Sequence, residues 1–380
     1  MFFGLLPLLV LGAIVVIIVR AVRSTGQGPR DAGPVIMRRF FQYATLYGVL
    51  IVVALGFTGL LEQLFGVGSD VVRRGSADAA RAIAFIVVGV PVYLGLGAWV
   101  NRQLDDPRER QTFGLSFYLT ATLITGLLVA GYAAFDLLRW AFGATDFDET
   151  SLVRGVVWGV IWLIHWILID RFLEVRGEGH ILVGSALSLG HFGTAIGFGL
   201  FTVLDRLYFE VFETGVAGSF SDDLLTALAG LIVGGAFWWI YWLRNGLHLE
   251  RTPLWNAYTL LLGVFSGLSA AIGAAAGLLY LVLVWFIGDP DPSRASSFFD
   301  PAPALVVTIA IGLAFFFYHR AVLAEGGPRR RTEVRRIYEY VIAGLGLVSF
   351  AAGITVLLLV VIQQITPSAR IIQTDSDINV

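Results

Sequence analysis

The chain of 380 residues has no cysteine, no lysine and few charges, 14% in all. The missing cysteine excludes disulfides and thiolate metal sites. The missing charge excludes an ordinary water-soluble domain, which carries nearer a quarter charged residues. Lysine's absence beside abundant arginine, glycine, alanine and valine reads as a coding bias and carries no mechanism. Histidine is scarce, at five residues. No nucleophile stands beside a plausible base, so hydrolase and transferase chemistry finds no support. Nor does the sequence carry a nucleotide-binding or metal-ligating motif.

What the chain has instead is apolar length. Hydrophobic residues make up 57% of it, and its mean hydropathy is +0.79. A span needs about 20 mainly apolar residues, each rising about 1.5 Å. Ten segments qualify: Phe2–Val19, Phe41–Leu61, Ala82–Val100, Phe113–Leu138, Gly155–Ile169, Ile181–Leu204, Leu224–Leu243, Leu254–Ile287, Leu305–Tyr318 and Tyr340–Ile362. The eighth is long for a bilayer, which implies tilt or continuation beyond it. The first lacks a basic leader and a small-residue cleavage site, so it reads as an uncleaved anchor. The fold class expected is all-α, a polytopic transmembrane bundle forming a single domain over residues 1–365, with a polar extracytoplasmic tail at 366–380.

All 26 basic residues are arginine, and 18 of them fall on alternate connections: after the first, third, fifth, seventh and ninth spans. The cytoplasmic side of a membrane protein collects arginine, so these connections are placed in the cytoplasm and both termini outside. Acidic residues lean the other way, 11 inside and 17 outside, giving an inner face of +7 and an outer face of −9. The implied location is a bacterial cytoplasmic (inner) membrane, crossed many times.

The same arginines mark a repeat. Arg39, Arg110, Arg176, Arg251 and Arg336 follow one another at spacings of 71, 66, 75 and 85 residues. Each lies between an inward helix ending in aromatics and an outward helix. This predicts five two-helix units, at roughly 1–65, 79–140, 153–213, 224–287 and 302–365. Such units stack because none buries its own interface alone. They run in the same direction, unlike the inverted repeats of many coupled transporters.

The inward ends read Trp162-Leu-Ile-His165-Trp166, Trp238-Trp-Ile-Tyr241-Trp242 and Phe315-Phe-Phe-Tyr318-His319. One outward start reads Arg335-Arg336-Ile-Tyr338-Glu-Tyr340. This pattern resembles DUF5671, an uncharacterised bacterial membrane family with a Trp-x-x-His-Trp helix end and an Arg-rich, Tyr-containing helix start. The resemblance implies degenerate copies along most of the chain and no particular activity. Tyr241 and Tyr318 stand where that alignment puts His165, which argues against a shared ligand role.

Ionisable groups inside a membrane are functional candidates by default. His165 lies six residues from Arg171, about 9 Å into its helix, and His191 about 16 Å from His180. A haem would want two histidines at similar depth, and His165 with His319 is the nearest such pair; a quinone or pigment is the other cofactor class considered. The bland reading, hydrogen bonding between helices, requires no cofactor. Ser185, Ser188, His191 and Thr194 would form a polar path. Gly230 with Gly234, Gly263 with Gly267, and Gly273 with Gly277 have the small-x-x-x-small spacing of close helix contact. Interior-end tryptophans, Trp99 to Trp255, read as an aromatic belt. Asp136 and Arg139 read as an interfacial ion pair. Arg329, Arg330, Arg331, Arg335 and Arg336 read as contacts to anionic lipid headgroups.

Three functions are weighed. A non-catalytic scaffold or accessory subunit of a larger membrane complex comes first. A channel or uniporter for a small solute along the Ser/Thr/His191 path is second, and a haem-, quinone- or pigment-binding redox subunit third. Partners expected are the bilayer and other membrane subunits, with no nucleic acid.

Overall fold

A computed structural model describes residues 32–65, 76–110, 112–172, 178–212, 220–287, 291–324 and 333–365. These residues are helices joined by short turns, with no strand among them. Eight helices are long and apolar enough to cross a membrane. The expected first span Phe2–Val19 and the tail at 366–380 lie outside the described residues. The expected last span falls on a helix, Glu333–Ile365, that holds a shorter apolar stretch at Gly346–Leu359.

The chain divides into two compact units at Glu250. The first contains α1 (Ala32–Phe65), α2 (Ser76–Gln103), α3 (Phe113–Ala141), α4 (Glu149–Phe172), α5 (Glu178–Phe212) and α6 (Phe220–Trp238). Consecutive helices pair as hairpins, α1 with α2, α3 with α4, and α5 with α6. Helix α3 is the hub, since it also packs against α1, α5 and α6. Its sequence suits that place: small residues Gly126, Gly131 and Ala133 alternate with Leu119, Leu123 and Leu127 on its buried faces.

The core at one end of this unit gathers Tyr43, Leu46 and Leu50 from α1, Val100 and Leu104 from α2, Leu115 to Leu123 from α3, and Ile169 from α4. Gly114 makes it compact: a Cβ there would stand 2.6 Å from the Tyr43 ring. Arg39 of α1 forms an ion pair with the buried Glu109 in the α2–α3 connection. Thr112 caps α3, its hydroxyl oxygen accepting from Leu115 N–H at 3.4 Å.

Helix α6 does not stop at Trp238. It continues as a π-helical turn, Trp239–Leu243, before the short 3-10 turn Gly246–His248.

The second unit contains α7, α8 and α9. Helix α7 spans Pro253–Ile287 and is π-helical over Tyr258–Phe265. Helix α8 is Ala302–Ala324, and α9 is Glu333–Ile365. Thr252 caps α7 as Thr112 caps α3, accepting from Trp255 N–H at 3.2 Å. Arg251 lies over the Trp255 ring and donates to the carbonyls of Val322 and Leu323, which end α8. A cation on these last carbonyls offsets the negative end of the helix dipole.

Candidate functional site

The richest polar contact inside the spans joins α2, α3 and α4. His165 is 3% exposed. Its Nδ1 lies 2.7 Å from the carbonyl oxygen of Ile161, one turn back. A carbonyl only accepts, so Nδ1 carries the proton, and in the neutral ring Nε2 is then an acceptor. Tyr118 Oη lies 2.8 Å from Nε2 and donates to it. Tyr118 has then used its only proton, so Tyr93 Oη, 2.9 Å away, donates to Tyr118. The result is a directed chain, Tyr93 to Tyr118 to His165 to the Ile161 carbonyl.

Depth is consistent with this joint. Along their helices, Tyr93 stands about 14 Å from Arg102, Tyr118 about 8 Å from Phe113 at the start of α3, and His165 about 9 Å from Arg171. Trp162 and Trp166 flank His165 and reach other helices. Trp162 Nε1 donates to Tyr241 Oη at 2.8 Å. Trp166 stacks on Trp162 and sets its face edge-on to Tyr241 and His180. Tyr241 itself packs onto Gly184, where any Cβ would clash with its ring. The three members of Trp162-x-x-His165-Trp166 therefore tie α4 to α3, α5 and α6 at one level.

The second unit repeats the joint at its α7–α8 crossing. His319 is fully buried, its Nδ1 donates to Phe315 O one turn back at 2.9 Å, and its ring lies edge-on to Tyr258. A Cβ on Gly126 would stand 2.9 Å from Trp162 Cβ and 3.5 Å from Trp158 O; one on Gly267 would stand 2.6 Å from Gly312 O, 2.9 Å from Phe316 N and 3.0 Å from Phe315 Cβ, so both glycines sit at the helix crossing. Burial, the Nδ1 bond one turn back and the edge contact to a tyrosine make His319, next to Tyr318, the residue that plays the part of His165. Between Tyr258 and Gly267 there is one residue more than between Tyr118 and Gly126. That extra residue falls in the π-helical stretch Tyr258–Phe265, the form that a one-residue insertion takes inside an α-helix. Gly263 there leaves the gap that the His319 ring fills.

The other sequence candidates are placed as follows. Ser185 and Ser188 are buried and donate to their own helix, to Ile181 O at 2.6 Å and Gly184 O at 2.5 Å. Thr194 is exposed and donates to Gly190 O. With His191 these residues recur every third position, which rotates by about 60° per step. They therefore spread around half of α5 and do not form one face. His191 lies edge-on to Phe135 and beside Gly234. Arg329, Arg330 and Arg331 lie outside the described residues, and Arg335 and Arg336 fall in the first turn of α9. Of the tryptophans, Trp99 and Trp239 are exposed as a belt requires, but Trp242 and Trp255 are buried and serve packing. Among the glycine pairs, Gly230, Gly234, Gly263 and Gly267 sit at close contacts, and Gly277 touches Leu305, whereas Gly273 faces open space.

Sequence reasoning missed Tyr93, Tyr118 and Tyr258. It also missed an acidic pocket at the far end of the α3–α4 hairpin. Asp136 pairs with Arg139 at 3.5 Å, as expected. Ser151 Oγ additionally lies 3.2 Å from Asp136 Oδ2 and 2.9 Å from Asp148 Oδ2. Asp148 caps α4. Burial alone would raise its pKa, but hydrogen bonds from Ser151 and Thr150 outweigh that and hold its carboxyl below the usual range. The cavity they line with Asp146, Trp140 and Thr145 has a volume of about 130 Å³. No group of three or more His, Cys, Asp or Glu able to hold a metal occurs among the described residues.

Comparison with known proteins yields one family. The model of Domain of unknown function (DUF5671) matches residues 39–171 and, again, 181–313. The first match runs from α1 to α4 and includes Tyr93, Tyr118 and His165; the second includes Tyr258 and stops six residues before His319. The family's unit therefore spans four helices, twice the two-helix period of the arginine clusters. No curated protein and no solved structure matches the chain.

Proposed function

The chain belongs to the DUF5671 family, whose domain it carries twice, and on that premise we propose that it is a non-catalytic scaffold or accessory subunit of a larger membrane complex. One observation carries the reading. The family-like motif Trp162-x-x-His165-Trp166 spends all three side chains on neighbouring helices. Residues that would be ligands or acid–base groups in an enzyme act here as joints. In lipid, hydrophobic burial does not hold helices together; close backbone contact and interhelical hydrogen bonds do. The serine hydroxyls of α5 bond within their own helix, as structural hydroxyls do.

The membrane proposed is the bacterial cytoplasmic one, crossed ten times, with the arginine-rich connections inside and both termini outside. Helix α2 offers one face for a partner span. Its most apolar stretch is only 11% buried, as is that of α7, against 44% in α3, and Val87 and Leu94 are 64% and 63% exposed. The test is a photo-crosslinking residue at Leu94, activated in intact native membranes. A single discrete protein adduct supports the reading. Adducts to lipid alone would remove α2 as the partner face and return the channel reading to first place.

A further inference from the structure

A cavity of about 70 Å³, open at the surface, lies at the end of the α5–α6 hairpin, where both helices pass from apolar to charged sequence. On α5 the change comes after Leu204, and on α6 before Leu224. Phe198 and Phe201 line the apolar side, and Phe198 is 36% exposed. Asp205 and Arg206 of α5 line the charged side with Asp223 of α6, all three half-buried. Phe209 and Phe220 complete the wall at the level of the charges.

The wall selects among ligands. Four of its eight residues are phenylalanine, and its one uncharged polar side chain, Thr202, spends its proton on the Phe198 carbonyl at 2.9 Å. A neutral polar ligand therefore meets no uncharged donor. An anion would face Asp205 and Asp223. Arg206 does not reverse that sign, because its Nε donates to Glu210 at 2.8 Å and the two charges match each other. Carboxylates beside phenyl rings favour a cation, held by charge and by the electron-rich ring faces. The level of the cavity adds a second condition. At the boundary between apolar and charged helix sequence, a ligand from the bilayer presents its headgroup there and leaves its chains in the hydrocarbon. We propose that this cavity binds the alkylammonium headgroup of a phospholipid. Asp205 and Asp223 hold the ammonium, the phenyl rings enclose its alkyl part, and the phosphate meets the guanidinium donors of Arg206 that Glu210 does not use. The site stands independently of the scaffold reading, because every wall residue belongs to one hairpin of the first unit.

The experiment is native mass spectrometry of the full chain in detergent micelles. Three probes are added in turn: phosphatidylethanolamine, phosphatidylglycerol with the same acyl chains, and soluble phosphoethanolamine. The unaltered chain is expected to bind phosphatidylethanolamine saturably. Asp205→Asn with Asp223→Asn removes both charges at nearly constant shape, and should weaken that binding about tenfold, the effect of about 1.4 kcal/mol. Asp223→Asn alone should weaken it about threefold, which covers the case in which the double variant fails to fold. Phosphatidylglycerol carries no ammonium, so the same variants should bind it no less tightly than the unaltered chain. Phe201→Leu keeps an apolar wall without the ring, and should weaken phosphatidylethanolamine about two- to fivefold. Asp222→Asn is the control, since Asp222 is next in sequence to Asp223 and does not line the cavity; it should change nothing. Absence of saturable phosphatidylethanolamine binding, or binding indifferent to Asp223→Asn, would overturn the proposal. So would an equal loss in Asp222→Asn, which would reduce the effect to general negative charge. Phosphoethanolamine bound as tightly as the lipid would overturn the assignment to a membrane ligand.

Discussion

Replacing Gly234 by alanine adds one methyl group to the α5–α6 crossing, and the structure sets what that group meets. Its Cβ would stand 2.7 Å from Phe192 N and 2.8 Å from Phe192 Cα. Carbon contacts are comfortable at about 3.5–4.0 Å, so the two helices must part by about 1 Å at this point. The obstacle is backbone, which no rotamer change relieves. Nor can the crossing pivot freely, because Gly230 meets Ala195 Cβ at 2.8 Å one turn away. Overpacking of this kind costs about 1–3 kcal/mol, and the backbone contact puts Gly234 at the upper end. Against it stands the gain of alanine over glycine in a helix, about 1 kcal/mol. The expected net loss is about 1–2 kcal/mol. Gly190→Ala on the partner helix is the control. A Cβ there has nothing within 4 Å, so only the helix gain remains, and stability should hold or rise. Both variants would be unfolded by SDS in mixed micelles and followed by tryptophan fluorescence. A Gly234→Ala protein as stable as Gly190→Ala would refute the packing argument.

Further expectations follow from other contacts. Tyr118→Phe removes the donor to His165 and the acceptor for Tyr93; in the same assay it should cost about 1 kcal/mol, and a double-mutant cycle with His165→Phe should show coupling, in the range of about 0.6–1.7 kcal/mol known for membrane interiors. Strict additivity would mean that the bond contributes nothing. Because the chain has no cysteine, cross-linking is clean: the built Cβ of Gly155 lies 3.4 Å from Ala133 Cβ, close to disulfide spacing. Ala133→Cys with Gly155→Cys should therefore close on mild oxidation within one chain, and failure to form would place α3 and α4 differently. Asp148→Ala removes the cap of α4 and should cost about 1 kcal/mol at neutral pH. The folded carboxyl titrates below its ordinary value of about 3.9, so this contribution is present above that value and fades as pH falls through the folded pKa. Parent and variant should converge in acid; a difference that persisted at the lowest pH would deny the carboxylate its role.

Much of the fold was legible because the bilayer imposes its length on the sequence. Phe113–Leu138 became α3, Phe113–Ala141. Other helices outrun their apolar cores, since backbone hydrogen bonding does not stop where lipid does: α5 continues past Leu204 to Phe212, where Arg206 pairs with Glu210 at 2.8 Å. The long segment at Leu254–Ile287 holds its extra residue in a π-helical stretch, a device hydropathy does not report. Arginine clusters mark every second connection and so display a two-helix rhythm, although the family unit has four helices.

The candidate site was half visible. His165 and its tryptophans stood out as rare types at a helix end. Their partners did not, because Tyr118 is 47 residues from His165 and Tyr93 is 25 from Tyr118, and tyrosine in an apolar run carries no periodic signal. The match of His165 with His319 was hidden by different intervening lengths: the π insertion in α7 and a longer connection before α8 moved the second histidine by a register that end-to-end alignment of the aromatics does not detect. Hydroxyls are a weaker signal. Ser185, Ser188 and Thr194 suggest a path from sequence, and each is also satisfied on the carbonyl one turn back, as serine and threonine in a membrane helix commonly are.

The scaffold reading holds that this chain works in company. The most direct measurement is the mass and composition of the particle obtained from native membranes in mild detergent, by native mass spectrometry. The account predicts the chain bound to one or more other membrane proteins in a fixed ratio. A particle containing this chain alone, active in solute flux when reconstituted, would contradict it.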